Sequence, residues 1–69
     1  MTLEEKLGKT IMLRRRKQLI SQEDFARKAG INRSYMSHIE NGKRMVSIDI
    51  VEKIANALGI SLAELFRDL

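Results

Sequence analysis

The sequence predicts a small all-α domain. The chain of 69 residues contains no proline, only four glycines and 4% aromatic residues. A β-sandwich or β-barrel needs more turn-forming residues and more β-formers than this. Hydrophobic residues make up 43% of the chain and charged residues 32%, a balance that is typical of folded proteins and argues against disorder. A chain this short holds one domain with a modest core, which we assign to residues 1–69.

The first two helices are recognised by their start signals. Thr2 and Glu5 form a capping box ahead of an apolar stripe at helical spacing, made of Leu3, Leu7 and Ile11. Ser21 caps the second helix, about residues 21–29, and Asp24 follows three residues later. The apolar face of this helix is formed by Phe25, Ala26 and Ala29. Gly30 ends it, because glycine tolerates the positive φ of a helix end.

The third helix follows the second after a turn of about three residues centred on Gly30 and Ile31. Asn32 caps it, Met36 and Ile39 point inward, and it spans about residues 32–41 before Gly42. Two short helices joined by a tight turn that contains glycine are typical of a helix-turn-helix. The small Ala26 suits the point where the two helices cross.

The last two helices repeat the same order of cap, apolar stripe and stop. Ser47 caps the fourth helix and Gly59 ends it. Its inner face is formed by Val51, Ile54, Ala55 and Leu58. Ser61 and Glu64 predict a capping box that opens the fifth helix, about residues 61–69. Its apolar residues are Leu62, Leu65, Phe66 and Leu69.

The charge of the chain is unevenly distributed. The formal net charge is +4, with net +4 on residues 1–20, net +2 on residues 21–44 and net −2 on residues 45–69. A basic first two thirds favours a face that binds a polyanion. A soluble domain that is merely basic explains the charge equally well.

The residue types present argue against an enzyme. One histidine, no cysteine and scattered carboxylates provide no nucleophile–base pair and no set of metal ligands, so we expect no catalytic residue, metal, cofactor or small-molecule ligand. No apolar run approaches the roughly 20 residues that span a bilayer, and the N-terminus is not a secretory signal. We therefore expect a cytoplasmic protein without a membrane partner.

Several segments together resemble the Cro and phage-repressor (XRE-like) helix-turn-helix family of transcriptional regulators. They are Leu7-Gly8-Lys9 with Arg15, the stretch SQEDFARKAGINRSYMSHIENGK at 21–43, and ANALGIS at 55–61. Residues 32–35, 39–44 and 46–48 are also similar to restriction–modification controller proteins. The resemblance covers residues 7–66 and implies a compact five-helix, lambda-repressor-like domain whose third helix, the recognition helix, reads double-stranded DNA in the major groove.

The exposed face of the recognition helix provides the predicted base contacts. Arg33 can donate two hydrogen bonds to guanine, and short polar side chains can reach base edges or phosphates. The predicted contacts on this helix are Asn32, Arg33, Ser34, Tyr35, Ser37 and His38. Taken singly, each is explained equally well as a solvated polar residue, and the argument for DNA rests on the set.

The resemblance adds contacts outside that face. It implies that Gln22 approaches a phosphate and braces the recognition helix, and helix N-termini do bind phosphate. Asn41, Lys43 and Arg44 match the family's clamp on the DNA backbone, which sets register and not base preference. Lys43 and Arg44 can also be read as exposed loop charges.

Arg15 and Glu40 are interpreted as structural. The resemblance implies a salt bridge between them, and an arginine fork suits a carboxylate. Two positions depart from the family pattern. Leu19 stands where glycine is common, so we expect the first helix to end differently there, because leucine does not adopt positive φ comfortably. Arg14 stands where relatives have leucine and forms a basic cluster with residues 15–17. This cluster can contact phosphate, but we interpret it as a solvated helix end.

The fifth helix is the candidate dimer interface. More apolar surface than a terminal helix needs is supplied by Leu62, Leu65, Phe66 and Leu69. Part of this face should join the core and the remainder should be free for a second copy, although all four can also simply cover the core. Family members often pair at this place, and a twofold dimer with recognition helices about 34 Å apart would read a palindromic operator.

Two further alternatives stay open. The same fold serves as a protein-interaction module in antitoxins and coactivators, but the polar, basic face of the third helix favours DNA over that role. The acidic residues Asp49, Glu52, Glu64 and Asp68 form a patch that can contact RNA polymerase or simply aid solubility. The sequence indicates neither the operator nor whether the protein activates or represses.

Overall fold

The computed structural model describes residues 1–44 and 46–69. In this part of the chain five helices follow one another: α1 Leu3–Lys17, α2 Gln22–Ala29, α3 Arg33–Glu40, α4 Ile48–Leu58 and α5 Leu62–Arg67. The predicted all-α, five-helix architecture is confirmed. Among the described residues, none of these helices is long and apolar enough to cross a membrane.

The predicted start signals are visible as hydrogen bonds. In the capping box of α1, Thr2 Oγ1 accepts from the Glu5 backbone N–H at 3.1 Å, and Glu5 Oε1 accepts from the Thr2 N–H at 2.8 Å. The bond from the Thr2 backbone N–H is the main cause that lowers the pKa of the Glu5 carboxyl. The Ser21 and Ser61 hydroxyls accept from the third backbone N–H after them, at 3.1 and 3.0 Å. The starts of α1, α2 and α5 are therefore stabilised by residues within one turn of them.

Two of the predicted caps form differently. Ser47 occupies the N-cap of α4 without a side-chain cap bond within the described chain. The Ser47 hydroxyl is instead the main cause that lowers the pKa of the Asp49 carboxyl. The capping box predicted at Ser61 is only half formed. Ser61 accepts from the Glu64 N–H, whereas the Glu64 carboxylate lies 3.9 Å from the Arg14 guanidinium.

The expectation about Leu19 is wrong. Leu19 adopts φ 58°, and α1 ends in the same left-handed manner as the helices that stop at Gly30 (φ 74°) and Gly59 (φ 76°). The Ile20 N–H donates to the Arg15 carbonyl at 3.4 Å and closes the turn. This conformation costs a leucine about 1 kcal/mol or more. The Leu19 side chain is 94% exposed, so its own packing does not offset the strain.

The core lies where the five helices meet. Its largest fully buried side chains are Phe25, Ile11, Met36, Ile39, Ile54 and Leu65. Leu65 is 0% exposed, so it has no surface left for a second copy of the chain and belongs to the core, contrary to its assignment to the dimer interface. The fifth helix is also shorter than predicted and ends at Arg67.

Helix α1 crosses the end of α3 at Gly8. A Cβ atom at this position would lie 2.2 Å from the Ile39 carbonyl oxygen and 2.8 Å from the Glu40 carbonyl oxygen. No side chain fits such a gap, so glycine is required for this approach of the two backbones. The crossing determines how far α3 projects from the core.

Candidate nucleic-acid interface

Helix α3 presents a polar face because its apolar face is anchored. Met36 and Ile39 are fully buried, whereas Arg33, Ser34 and His38 are exposed on the other side. The cap keeps the first turn in place, since Asn32 Oδ1 accepts from the Ser34 and Tyr35 N–H groups at 2.7 and 3.3 Å. Asn32 Oδ1 is therefore occupied by the cap, and only the side-chain NH₂ group of Asn32 remains for a ligand.

A shallow recess of about 180 Å³ lies on this polar face. It is lined by Gln22, Arg33, Ser34, Ser37 and His38. The structure thus brings five of the predicted DNA contacts, from α2 and α3, around one hollow. Each of these side chains has a hydrogen-bond donor, and no carboxylate lines the hollow. Such a lining suits an anion or the acceptor-rich edge of a base.

The remaining predicted contacts lie toward and beyond the end of α3. The Arg44 guanidinium carbon stands 5.4 Å from the centroid of the Tyr35 ring, which is a cation–π contact that orients the arginine. Asn41 is the C-cap of α3, and its amide lies 3.5 Å from the Ser37 hydroxyl. Lys43 is exposed. Asn41 thus adjoins the recess through Ser37, and Lys43 and Arg44 add positive charge beyond the end of α3.

Behind the recess lies a buried ion pair. Arg15 Nε and Nη2 donate to the two oxygens of Glu40 at 2.8 and 3.0 Å, and the side chains are 9% and 3% exposed. Arg15 Nη1 donates to the Ile20 carbonyl at 2.8 Å. One arginine therefore joins α1, the turn before α2 and the end of α3.

The ion pair also reaches Gln22, for which the resemblance implied a brace on the recognition helix without naming a partner. Gln22 Nε2 donates to Glu40 Oε1 at 3.2 Å. These residues are 18 positions apart, so no local pattern links them. The residue predicted to approach a phosphate is held on its inner side by a buried carboxylate.

The interpretation of Arg14 as part of a solvated basic cluster is wrong. Arg14 Nε and Nη2 lie 2.9 and 2.7 Å from Asp68 Oδ2, and Nη1 lies 3.9 Å from Glu64. Arg14 thus fastens α5 to α1. A sequence signal for this was present, since Leu7, Ile11 and Arg14 follow helical spacing and share the inward face.

These features agree with comparisons to known proteins. The family profile described as "Helix-turn-helix" matches residues 11–65, which is most of the chain. The chain belongs to the Cro and phage-repressor (XRE-like) helix-turn-helix family of transcriptional regulators.

Family members with similar sequences are controller proteins. Control protein C.MunI from Mycoplasma sp is 53% identical over 57 residues, which cover 83% of this chain and 77% of that protein. Control protein C.BamHI from Bacillus amyloliquefaciens is 42% identical over 57 residues, covering 83% of this chain and 70% of that protein. These relatives are regulators, which fits the expectation of a protein that is not an enzyme.

Solved family members share the fold. The restriction–modification controller C.AhdI from Aeromonas hydrophila superposes with a TM-score of 0.88 at 38% identity, covering 91% of this chain and 96% of that one. The controller C.Esp1396I, solved as a tetramer with its natural 35 base-pair operator, superposes with a TM-score of 0.89 at 31% identity, covering 97% of this chain and 88% of that one.

Proposed function

We propose that this regulator is a restriction–modification controller that binds a palindromic operator as a homodimer, with α3 in the major groove. The observation that carries the proposal is the recess formed by α2 and α3, whose five described lining residues all have hydrogen-bond donors and include no carboxylate. The similarity to C.MunI and C.BamHI supports the controller role. Residues 1–69 act as one domain in this proposal, located in the cytoplasm.

The proposed DNA contacts divide into residues that reach base edges and residues that bind the DNA backbone. Arg33 reads a guanine, and Ser34, Ser37 and His38 touch neighbouring base edges or phosphates. Tyr35 keeps Arg44 in place through their stacking, and both lie close to the DNA backbone. The remaining predicted contacts, Gln22, Asn32, Asn41 and Lys43, position the domain through phosphates.

The homodimer is proposed to form through the exposed part of α5. Phe66 remains 38% exposed, and Leu62 and Leu69 are only half-buried, so they retain apolar surface that a second copy can cover. Leu13 on α1 is 49% exposed as well. Phe66→Glu should therefore raise the dimer dissociation constant by about tenfold or more in sedimentation experiments. The control is Leu19→Glu, which removes an even more exposed apolar side chain from a turn outside α5.

The acidic patch proposed for RNA polymerase is smaller than the sequence indicates. Glu64 and Asp68 are engaged with Arg14, whereas Asp49 and Glu52 stay exposed on α4. A contact with polymerase would therefore rest on the start of α4.

Selection from a randomised pool of duplex DNA at physiological salt tests the main proposal. We expect a palindromic winner bound at least about a thousandfold more tightly than random DNA. Arg33→Ala should weaken binding about tenfold and relax preference at one base position. Arg27→Ala removes the same charge from the surface of α2 outside the recess, and it should leave the preference unchanged.

Two results would contradict the proposal. Binding that selects no sequence and fades with salt would favour the protein-interaction module instead. A winner without twofold symmetry, bound by one copy, would exclude the homodimer but leave the regulator in place.

A further inference from the structure

Gln22 connects the buried ion pair with the recess. Its side chain is half-buried and lines the hollow beside Arg33 and Ser37, and its Nε2 donates to Glu40 Oε1 at 3.2 Å. Glu40 itself is buried and does not line the recess. One hydrogen bond therefore links a group that DNA can reach with a group that it cannot.

This bond determines how the Gln22 amide is turned. A carboxylate only accepts hydrogen bonds, so the amide must direct its NH₂ group toward Glu40, and its carbonyl oxygen cannot take that place. The second N–H of the same nitrogen remains a donor for a phosphate oxygen. A glutamine without this partner can turn either end toward the recess.

Glu40 cannot rotate to follow a mobile Gln22. Both of its oxygens accept from Arg15, at 2.8 and 3.0 Å, and Arg15 is fixed in turn by the Ile20 carbonyl at 2.8 Å. Ile20 lies two residues before Gln22, so the same arginine also fixes the backbone that leads into α2. The side chain and the backbone of Gln22 are thus both determined by one buried pair.

We infer that Glu40 is a positioning residue for DNA binding: through Gln22 it orients the amide that meets the phosphate backbone of duplex DNA. This inference rests on the proposed function. Glu40 touches no DNA in this arrangement, and its role is to remove the rotational freedom that Gln22 would otherwise lose on binding.

Charge alone predicts the opposite effect for a change at Glu40. Glu40→Gln removes a negative charge and should tighten binding to a polyanion. The inference predicts weaker binding. An amide at position 40 can donate a hydrogen bond, so the Gln22 carbonyl oxygen can turn toward it. The Gln22 NH₂ group then no longer has one fixed orientation toward the phosphate. The sign of the change in affinity therefore separates positioning from electrostatics.

The experiment measures affinity for the selected operator duplex with the full chain, at a temperature where all variants are folded. Gln22→Ala and Glu40→Gln should each lower the affinity for the duplex about fivefold. The affinity of the double variant should be no lower than that of the single variant with the lower affinity. Ile54→Ala on α4 is the control for lost stability, since it empties a core position outside the recess and should bind like the unchanged protein.

Each result decides between distinct conclusions. No sequence-selective binding by the unchanged protein would overturn the proposed function itself. If the unchanged protein binds its site selectively, two results would overturn the inference alone. One is a Glu40→Gln variant that binds DNA as tightly as Ile54→Ala or more tightly. The other is a double variant whose loss of binding free energy is the sum of the two single losses.

A second measurement keeps the inference testable if Glu40→Gln does not fold. In the unchanged free protein, NMR relaxation should show the Gln22 side-chain amide as rigid as that of Gln18, which donates to the Leu58 carbonyl at 2.9 Å. A freely rotating Gln22 amide would overturn the inference.

Discussion

Arg14 and Arg15 are neighbours in α1, and they join it to opposite parts of the molecule. Arg15 pairs with Glu40 at the end of the recognition helix, and the two side chains are 9% and 3% exposed. Arg14 pairs with Asp68 just after α5, and those side chains are 27% and 44% exposed. The same chemistry is thus used once in the interior and once at the surface.

The two junctions should differ in strength and in their response to salt. A buried ion pair is screened little, and the removal of one partner leaves an uncompensated charge without water. An exposed pair gains little over solvated charges. The junction that orients α3 is therefore rigid, whereas the junction that fastens α5, the proposed dimer helix, depends on ionic strength. Four substitutions test these two junctions and the turn that ends α1, in order of expected effect.

Glu40→Gln should have the largest effect. It leaves the Arg15 charge buried without its counterion, and we expect the free energy of unfolding to fall by about 3 kcal/mol. Urea unfolding followed by circular dichroism measures this loss. The control is Glu52→Gln, at an exposed position of α4, whose free energy of unfolding should be within about 0.5 kcal/mol of that of the unchanged protein. The preferred DNA site should change less than stability does. An unchanged melting temperature would show that the buried pair is not what holds this junction.

Gly8→Ala should be nearly as damaging. The added methyl group would lie 2.2 Å from the Ile39 carbonyl oxygen, so α1 and α3 must move apart. We expect a loss of about 2–3 kcal/mol in the same unfolding experiment. Lys9→Ala, at the next and exposed position of α1, should be neutral or slightly stabilising. A stable Gly8→Ala protein would mean that the crossing is wider than described.

Arg14→Gln should lower the free energy of unfolding by only about 0.5 kcal/mol at low salt. The loss should disappear near about 1 M NaCl, where the Debye length is about 3 Å. The comparison is with Arg16→Gln, an exposed neighbour, whose effect we expect to be within error at either salt concentration. A loss that persists at high salt would place this junction in the same class as the Arg15–Glu40 pair.

Leu19→Gly should have a small effect of opposite sign. Relief of the left-handed leucine outweighs the greater freedom of glycine in the unfolded chain, and we expect a gain of about 0.5 kcal/mol. Leu13→Gly, at a half-exposed position inside α1, should lose about 1 kcal/mol. Equal losses at both positions would show that Leu19 is not strained.

The sequence predicted the features whose causes are local. The caps at Thr2, Ser21 and Asn32 and the stop at Gly59 act within a turn of the helix end, so short patterns reveal them. The polar face of α3 follows in the same way from helical spacing. The choice of Arg15 and Glu40 as a pair came from the family resemblance, because residues 25 positions apart share no local pattern.

Packing between distant segments decided the rest. Residues 18 and 54 positions apart came together when Gln22 met Glu40 and when Arg14 met Asp68. The resemblance implied that Gln22 braces the recognition helix but not which residue it meets, and the Arg14 contact was missed. Leu65 became a core residue because α5 turns it inward. The sequence by itself determined where helices start, where they stop and which face of each is apolar, since those depend on neighbouring residues. Only the tertiary structure decided which polar groups became partners, because packing of the helices brings distant segments together. At the buried Glu40 the loss of water as a competing partner adds to this effect.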